Sequence, residues 1–299
     1  HTIERIQKAA KELNYTPNRF AKALRTNRTQ TLACIIPDIT NPFYPALVKG
    51  VQRACELEDY DLVTLNTDGS KDKELHYIEL AKQGRYDGII GVFFNFDSSH
   101  FEELAEQNIP VVRLESNARA QAKQSFDNIY VDDHTAFEEI TQLLIDTGHQ
   151  DICMISGKGG PQNLRVSGYK KALANARIQP FVQLEEEFTE NGGEIALEKL
   201  LIKRPMPSAI VAANDLMAIG CMRVIKNLGL SIPDQIAVTG FDNIPAAELV
   251  TPSLTTIDRF QENSAEKAAK IIIGRLNKQI IGQGQTIKQP YKIIRRNSA

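Results

Sequence analysis

The chain contains no tryptophan, and only four cysteines and four methionines among its 299 residues. Cys34, Cys55, Cys153 and Cys221 lie far apart, with no Cys-x-x-Cys pair. Metal fingers and disulfide frameworks need closely spaced or paired cysteines. Buried free thiols in a reducing cytoplasm are therefore the expectation. No apolar run approaches the roughly 18 residues of a membrane-spanning helix. Catalytic signatures are missing as well: there is no His-Glu-x-x-His and no Gly-x-Ser-x-Gly. The cluster Gly157-Lys158-Gly159-Gly160 lacks the spacing of both the phosphate loop and the dinucleotide fingerprint. It reads as a mobile strand–helix loop at the mouth of a cleft. His149, after Thr147-Gly148, reads as a helix terminator. The expectation is a protein that is not an enzyme and carries neither cofactor nor metal.

The bulk composition is that of a folded globular protein, with 42% hydrophobic and 24% charged residues. Its net charge of −2 is unevenly spread. Residues 1–30 hold seven basic side chains (Arg5, Lys8, Lys11, Arg19, Lys22, Arg25, Arg28) against Glu4 and Glu12, a surplus of five, which leaves −7 on the rest. A basic arm on an acidic body suits a polyanion partner for the arm, and a solvated basic helix fits the same charges. The first residue is His1 rather than Met. That suggests a chain beginning inside a longer protein, and removal of a signal peptide would leave the same start.

Residues 2–14 read as an amphipathic helix capped by Thr2, with Ile3, Ile6, Ala10 and Leu13 on one face. Asn14-Tyr15-Thr16-Pro17 breaks it, and a second short basic helix is expected over 18–26. From Thr31 the pattern alternates. Strand-length apolar runs at Leu32–Ile36, Leu62–Leu65, Gly88–Phe94 and Val111–Leu114 are separated by helical stretches. The theme restarts at Ile152–Ile155, Val182–Phe188, Ala209–Ala213 and Ile236–Thr239. Repeated βαβ units specify parallel sheets with helices on both faces. So many elements exceed one comfortable sheet, so the fold class expected is α/β with two doubly wound lobes. A long helix near Gln261–Leu276 and the short strands after it should return across the interface. Open α/β sheets bind ligands at the carboxyl ends of their strands, here in the cleft between lobes.

Several local sequences, taken in order, carry a resemblance. Leu13-Asn14-Tyr15-Thr16-Pro17-Asn18 with Ala21, Leu24 and Thr29 comes first, then Pro37-Asp38-Ile39-Thr40-Asn41-Pro42-Phe43. Tyr86-Asp87-Gly88-Ile89-Ile90, Thr147-Gly148-His149, Arg165-Val166-Ser167-Gly168-Tyr169, Asn214-Asp215, Gly240-Phe241-Asp242-Asn243 and Pro252-Ser253-Leu254-Thr255-Thr256-Ile257 follow. The chain resembles the LacI/GalR repressor family over essentially its whole length, and the ordered set is far more specific than any one motif. The resemblance implies a periplasmic-binding-protein-like core that forms a homodimer, preceded by a hinge helix and a helix-turn-helix domain. Residues 1–14 would be the last helix of that DNA-binding domain, whose two reading helices are not in the chain. Residues 15–30 would be hinge helix and linker, 31–148 with 257–288 the N-terminal lobe, and 149–256 with 289–299 the C-terminal lobe.

The resemblance also assigns roles. Paired hinge helices enter the minor groove of operator DNA, where Leu24 would wedge between base steps. Ala21 would let the helix lie close, and Arg19, Lys22 and Arg25 would meet phosphates. Packing of Leu24 on the core is the alternative. In the cleft, Phe43 and Tyr44 could stack on a ring or pack under their helix. Arg165 matches an arginine that holds effector oxygens, against the commoner fate of a surface ion pair. Asp215 matches a ligand-binding acid that would accept from two adjacent hydroxyls, or else it belongs to a helix start. Phe93 and Phe188 would wall the cleft or fill the core; Asp242, Ser116 and Asp38 are weaker candidates. The expected function is an allosteric transcriptional repressor, controlled by a small effector. A sugar or sugar phosphate is favoured, and a purine is possible. An extracytoplasmic sugar receptor for a transporter has the same two-lobed fold, but no use for a Leu24 wedge. A nucleotide-dependent enzyme on this fold lacks its phosphate loop and its acid–base set.

Overall fold

The computed structural model describes residues 28–96, 98–115, 124–185 and 187–299, together with Arg5, Lys8, Ala9, Glu12, Leu13, Ala23, Arg25 and Thr26. Two parallel sheets organise the chain. The first contains β1 (Thr31–Ile36), β2 (Asp61–Asn66), β3 (Gly88–Gly91), β4 (Val111–Glu115), β5 (Asp127–Tyr130) and β11 (Thr286–Lys288), in the order β11-β5-β4-β3-β1-β2. The second contains β6 (Ile152–Gly157), β7 (Phe181–Glu185), β8 (Ala209–Ala212) and β9 (Ala237–Thr239), in the order β7-β6-β8-β9. β1 shows why the strands are so apolar. Leu32, Ala33, Cys34, Ile35 and Ile36 are all fully buried, because helices cover both faces of a parallel sheet.

Helices α1 (Phe43–Leu57), α2 (Lys71–Lys82), α3 (Ser98–Glu106) and α9 (Gln261–Leu276) belong to the first lobe. Helices α4 (Asp133–Asp146), α5 (Gln162–Asn175), α6 (Glu190–Lys203), α7 (Asp215–Asn227) and α8 (Pro245–Leu249) belong to the second. Their starts are set by local chemistry: Asp132, Thr189 and Asn214 accept from the backbone N–H three residues on, at 3.1, 3.0 and 2.9 Å. Close helix pairs rest on glycine. A Cβ at Gly50 of α1 would fall 2.2 Å from the Glu262 carbonyl oxygen of α9, and one at Gly168 of α5 would fall 2.0 Å from that of His134 in α4. Any larger residue at either place would force the helices apart.

The boundary between lobes differs from the sequence expectation. Helix α4 packs on α5, β8 and β10 (Thr256–Asp258), so the chain first crosses between the lobes at residues 131–132 and not at 148. The reason is amphipathicity: Ala136, Phe137, Ile140, Leu143 and Leu144 of α4 are buried in the second lobe's core. The other crossings, near 259–260 and 289–291, flank β10 and β12 (Lys292–Ile294), which pair antiparallel. Ser298 then fastens the C-terminus to the second lobe, its hydroxyl donating to Val238 at 2.6 Å and accepting from Thr255 N–H at 2.8 Å.

One strand expectation is revised, and one strand was not expected. The run Gly88–Phe94 ends as a strand at Gly91, because the N–H groups of Phe94 and Asn95 turn away to the Glu74 carboxylate. β5 had no apolar signature: its Asp127 and Asn128 are buried polar residues, offset by Arg275, which grips both Asp127 oxygens, and by the Arg113 side chain 3.0 Å from Asn128 Oδ1. In the basic arm, Arg5, Lys8, Ala9 and Glu12 are helical, as are Ala23, Arg25 and Thr26. The rest of the two expected arm helices lies outside the described residues. No helix among the described residues is long and apolar enough to cross a membrane.

Candidate functional site

The carboxyl ends of both sheets face one cleft of about 1010 Å³. After β1 come Pro37 and Asp38; after β3, residues 92–96; after β6, Lys158 to Pro161; after β8, Asn214; after β9, Asp242. The crossing segments contribute Arg259, Gln261 and Gln289. Parallel strands end on the same side, so unrelated loops converge there.

The floor is a buried charge cluster. Arg165, only 4% exposed, donates from Nε to Asp133 Oδ2 at 2.7 Å and from Nη1 to the Ala213 carbonyl at 2.8 Å. Its guanidinium lies over Phe241, 4.5 Å from the ring centroid. Arg259 covers the same ring at 5.2 Å and Phe43 at 4.9 Å. Arg259 also reaches Asp242 at 3.5 Å and Asp133 at 3.9 Å. Two guanidiniums thus meet one phenyl ring and two carboxylates, an arrangement that keeps buried charges balanced. Burial pushes the Asp242 carboxyl up to about 6, with Arg259 and Arg165 pulling the other way. Burial likewise raises the Tyr44 phenol.

This cluster leaves some polar atoms unused. Among the described residues, Arg259 Nε, Gln261 Oε1 and Asp133 Oδ1 are buried without a hydrogen-bond partner. Arg259 and Gln261 line the cleft, and Asp133 sits directly behind them. Such atoms are costly unless something else satisfies them.

Phe43, Tyr44, Phe93, Arg165, Phe188 and Asp242 all line the cleft, as does Asp38. Phe43 and Tyr44 meet edge-on, centroids 5.1 Å apart, so the aromatic pair both packs and faces the cavity. Arg165 is in the site, but as the partner of Asp133 and not as a free fork. Asp38 Oδ1 accepts from the N–H and hydroxyl of Thr40. Ser116 lies outside the described residues.

Asp215 is a correction. It is fully buried and not in the cleft wall; its oxygens accept from the Thr256 hydroxyl and, at 2.8 Å, from the Ile244 N–H. Burial and neighbouring Asp242 raise its carboxyl well above the usual range. It locks the loop after β9 to the start of α7. The preceding Asn214 faces the cavity instead, while capping α7 and donating to the Phe188 carbonyl at 2.9 Å. Sequence reasoning missed Arg259, Gln261 and Asp133. Their signal was weak: they lie where the chain changes lobe, and periodicity says nothing about crossings.

The described part of the linker is tied to the first lobe. Asp87 accepts from Thr29 N–H at 2.7 Å, Thr29 Oγ1 at 2.8 Å and Gln30 N–H at 2.9 Å. Arg28 donates to the Leu276 carbonyl at the end of α9, and to Asn277 at 3.1 Å. Of the expected hinge contacts, Arg25 is helical and exposed; Arg19, Ala21, Lys22 and Leu24 lie outside the described residues.

Comparison with known proteins decides the family. Residues 29–293 match the family of periplasmic binding proteins and sugar binding domains of the LacI family. The catabolite control protein A of Priestia megaterium is 30% identical over 99% of this chain and 90% of its own length. The ribose operon repressor of Escherichia coli K12 is 32% identical with the same coverage. The chain belongs to the LacI family. Among solved structures, the complex of the transcriptional regulator CelR with cellobiose superposes with a TM-score of 0.81, at 25% identity, over 99% of this chain and 90% of that one. Homologues of the chain are thus named as transcriptional repressors and regulators, and the CelR structure shares this fold.

Proposed function

We propose that the chain is the regulatory core of a dimeric, cytoplasmic repressor whose affinity for operator DNA is set by a neutral sugar bound between the lobes. The observation that carries the ligand class is that two cleft-lining residues, Arg259 and Gln261, each hold a buried polar atom, Nε and Oε1, without a partner. One is a donor and the other an acceptor. A sugar hydroxyl both donates and accepts, so the hydroxyls of one sugar can satisfy a donor and an acceptor alike. Aromatic rings at Phe43, Tyr44, Phe93 and Phe188 offer faces for the apolar side of a sugar ring. The ionisable lining balances, Asp38, Asp68, Glu187 and Asp242 against Arg113, Lys158, Arg165 and Arg259. That balance favours a neutral sugar over a sugar phosphate.

The physical logic is linkage. A ligand touching both lobes binds one lobe arrangement better than another. Because Asp87 and Arg28 fasten the linker to the first lobe, lobe movement is carried into the hinge. Paired hinge helices of a homodimer, with Leu24 as the wedge and Arg19, Lys22 and Arg25 on phosphates, would then change spacing on DNA. The helix-turn-helix that would precede residues 1–14 would read the bases.

The test is thermal unfolding against neutral sugars, including ribose and cellobiose, with sugar phosphates and purines alongside. A ligand at about 100 times its dissociation constant adds roughly 2.7 kcal/mol, on the order of several degrees. A neutral sugar that raises the melting temperature supports the reading. Stabilisation by a purine or sugar phosphate alone overturns the ligand class.

A further inference from the structure

Glu74 is a fully buried carboxylate of α2, outside the charge cluster of the cleft floor. No lysine or arginine forms an ion pair with it among the described residues, and burial raises its carboxyl above the usual range. An unpaired buried carboxylate is expensive, so its hydrogen bonds matter. Among the described residues, those of its side chain go to one segment. Oε1 accepts from Phe94 N–H at 3.1 Å and Asn95 Nδ2 at 3.2 Å; Oε2 accepts from Asn95 N–H at 3.2 Å. Asn95 Nδ2 also donates to the Gly69 carbonyl at 3.0 Å. This is where the expected strand from Gly88 stops short, and where the chain turns to form the cleft rim.

That rim is aromatic. Phe93 stacks on Phe96 with centroids 5.5 Å apart and meets Phe101 at 5.2 Å, so its ring is held by the lobe's own core. Phe94 points the other way. It is 39% exposed and reaches the opposite lobe. A Cβ at Gly160 would lie 3.2 Å from Phe94 Cε1, and Gly160 itself adopts φ +50°, the region that favours glycine. The glycine loop after β6 thus receives an aromatic ring from across the cleft mouth.

We propose that Glu74 is a positioning residue for the cleft, holding residues 94 and 95 from beneath so that Phe94 meets Gly160 and closes the mouth. Glu74 touches no ligand; it acts through the backbone it holds. This rests on reading the cleft as the effector site, but the test below needs no ligand and so stands or falls apart from that reading.

The absence of tryptophan supplies the assay. Phe94→Trp places a single tryptophan at the mouth, shielded by the Gly160 loop and excited selectively over the tyrosines. In that background Glu74→Gln replaces one acceptor with an amide N–H₂, which opposes a backbone N–H instead of binding it. The acrylamide quenching constant should rise at least twofold. Asn95→Ala removes only the side-chain links, alters an exposed residue, and should raise quenching less but in the same direction; it decides the matter should Glu74→Gln fail to fold. A Phe181→Trp reporter in the other lobe separates positioning from general loosening, and its quenching should not change with Glu74→Gln. Unchanged quenching of the mouth reporter in the folded variants, or an equal rise at both reporters, overturns the proposal.

Discussion

Replacing Arg259 by methionine removes the one buried cleft-lining side-chain donor without a partner among the described residues, while keeping most of the side-chain volume. Two effects can be separated. In the free protein the guanidinium lies 4.9 Å from the Phe43 centroid and 5.2 Å from that of Phe241. Contacts of this kind are worth about 0.5–2 kcal/mol each. Asp133 keeps its 2.7 Å bond to Arg165, while Asp242 loses its 3.5 Å partner and, with its carboxyl already raised to about 6, is pushed further toward the neutral form. The loss should be about 1–3 kcal/mol, a few degrees in melting temperature. On the bound ligand, a charge-assisted hydrogen bond of about 1.5–3 kcal/mol disappears. That is roughly a ten- to hundredfold weaker dissociation constant. Titration calorimetry with the stabilising sugar measures it, and Arg259→Lys should fall between parent and methionine variant. A folded methionine variant that binds within twofold of the parent would refute the role given to the unpaired Nε.

Other residues give independent tests. Asp215→Ala loses the bonds to Thr256 and Ile244 and should cost about 1–3 kcal/mol of stability. Its effector affinity should stay within twofold; a tenfold loss at unchanged stability would return Asp215 to the cleft. Arg165→Ala strands Asp133 in the core and should destabilise by about 3–5 kcal/mol, so calorimetric melting should show it before any binding assay does. For pH, the Asp242 carboxyl is raised to about 6 from an ordinary 3.8. Its favourable contribution is complete below the unfolded value and is lost as pH rises through 6. Asp242→Asn should therefore flatten the fall in melting temperature between about pH 4 and 6, and an unaltered slope would contradict the assignment. Asp87→Ala frees the backbone of Thr29 and Gln30. At about 1 kcal/mol per bond, tryptic cleavage after Arg28 should quicken by fivefold or more; an unchanged rate would argue against the anchor.

The sequence made the two sheets legible because parallel strands buried on both sides are written as unbroken apolar runs, as at Leu32–Ile36. It made much of the cleft legible too, because aromatic and charged residues such as Phe43, Arg165 and Asp242 stand where those runs end. It failed where tertiary partners supply what local pattern lacks. β5 is a strand because Arg275 and Arg113 satisfy Asp127 and Asn128, and neither arginine is near it in sequence. α4 was given to the wrong lobe because its buried face says that it packs, not against what. The resemblance pointed to Asp215 and not to its neighbour Asn214, and both suit a helix start equally. Only the geometry turns one inward to Thr256 and the other toward the cavity.

The account's central claim is that occupancy of this cleft controls DNA binding. The most direct measurement is the affinity of the full-length protein for operator DNA, selected by that protein from a random-sequence pool, with and without the stabilising sugar. The account predicts a change of at least fivefold, a coupling of about 1 kcal/mol or more, with DNA changing the sugar's affinity by the same factor. An operator affinity indifferent to saturating sugar would contradict it.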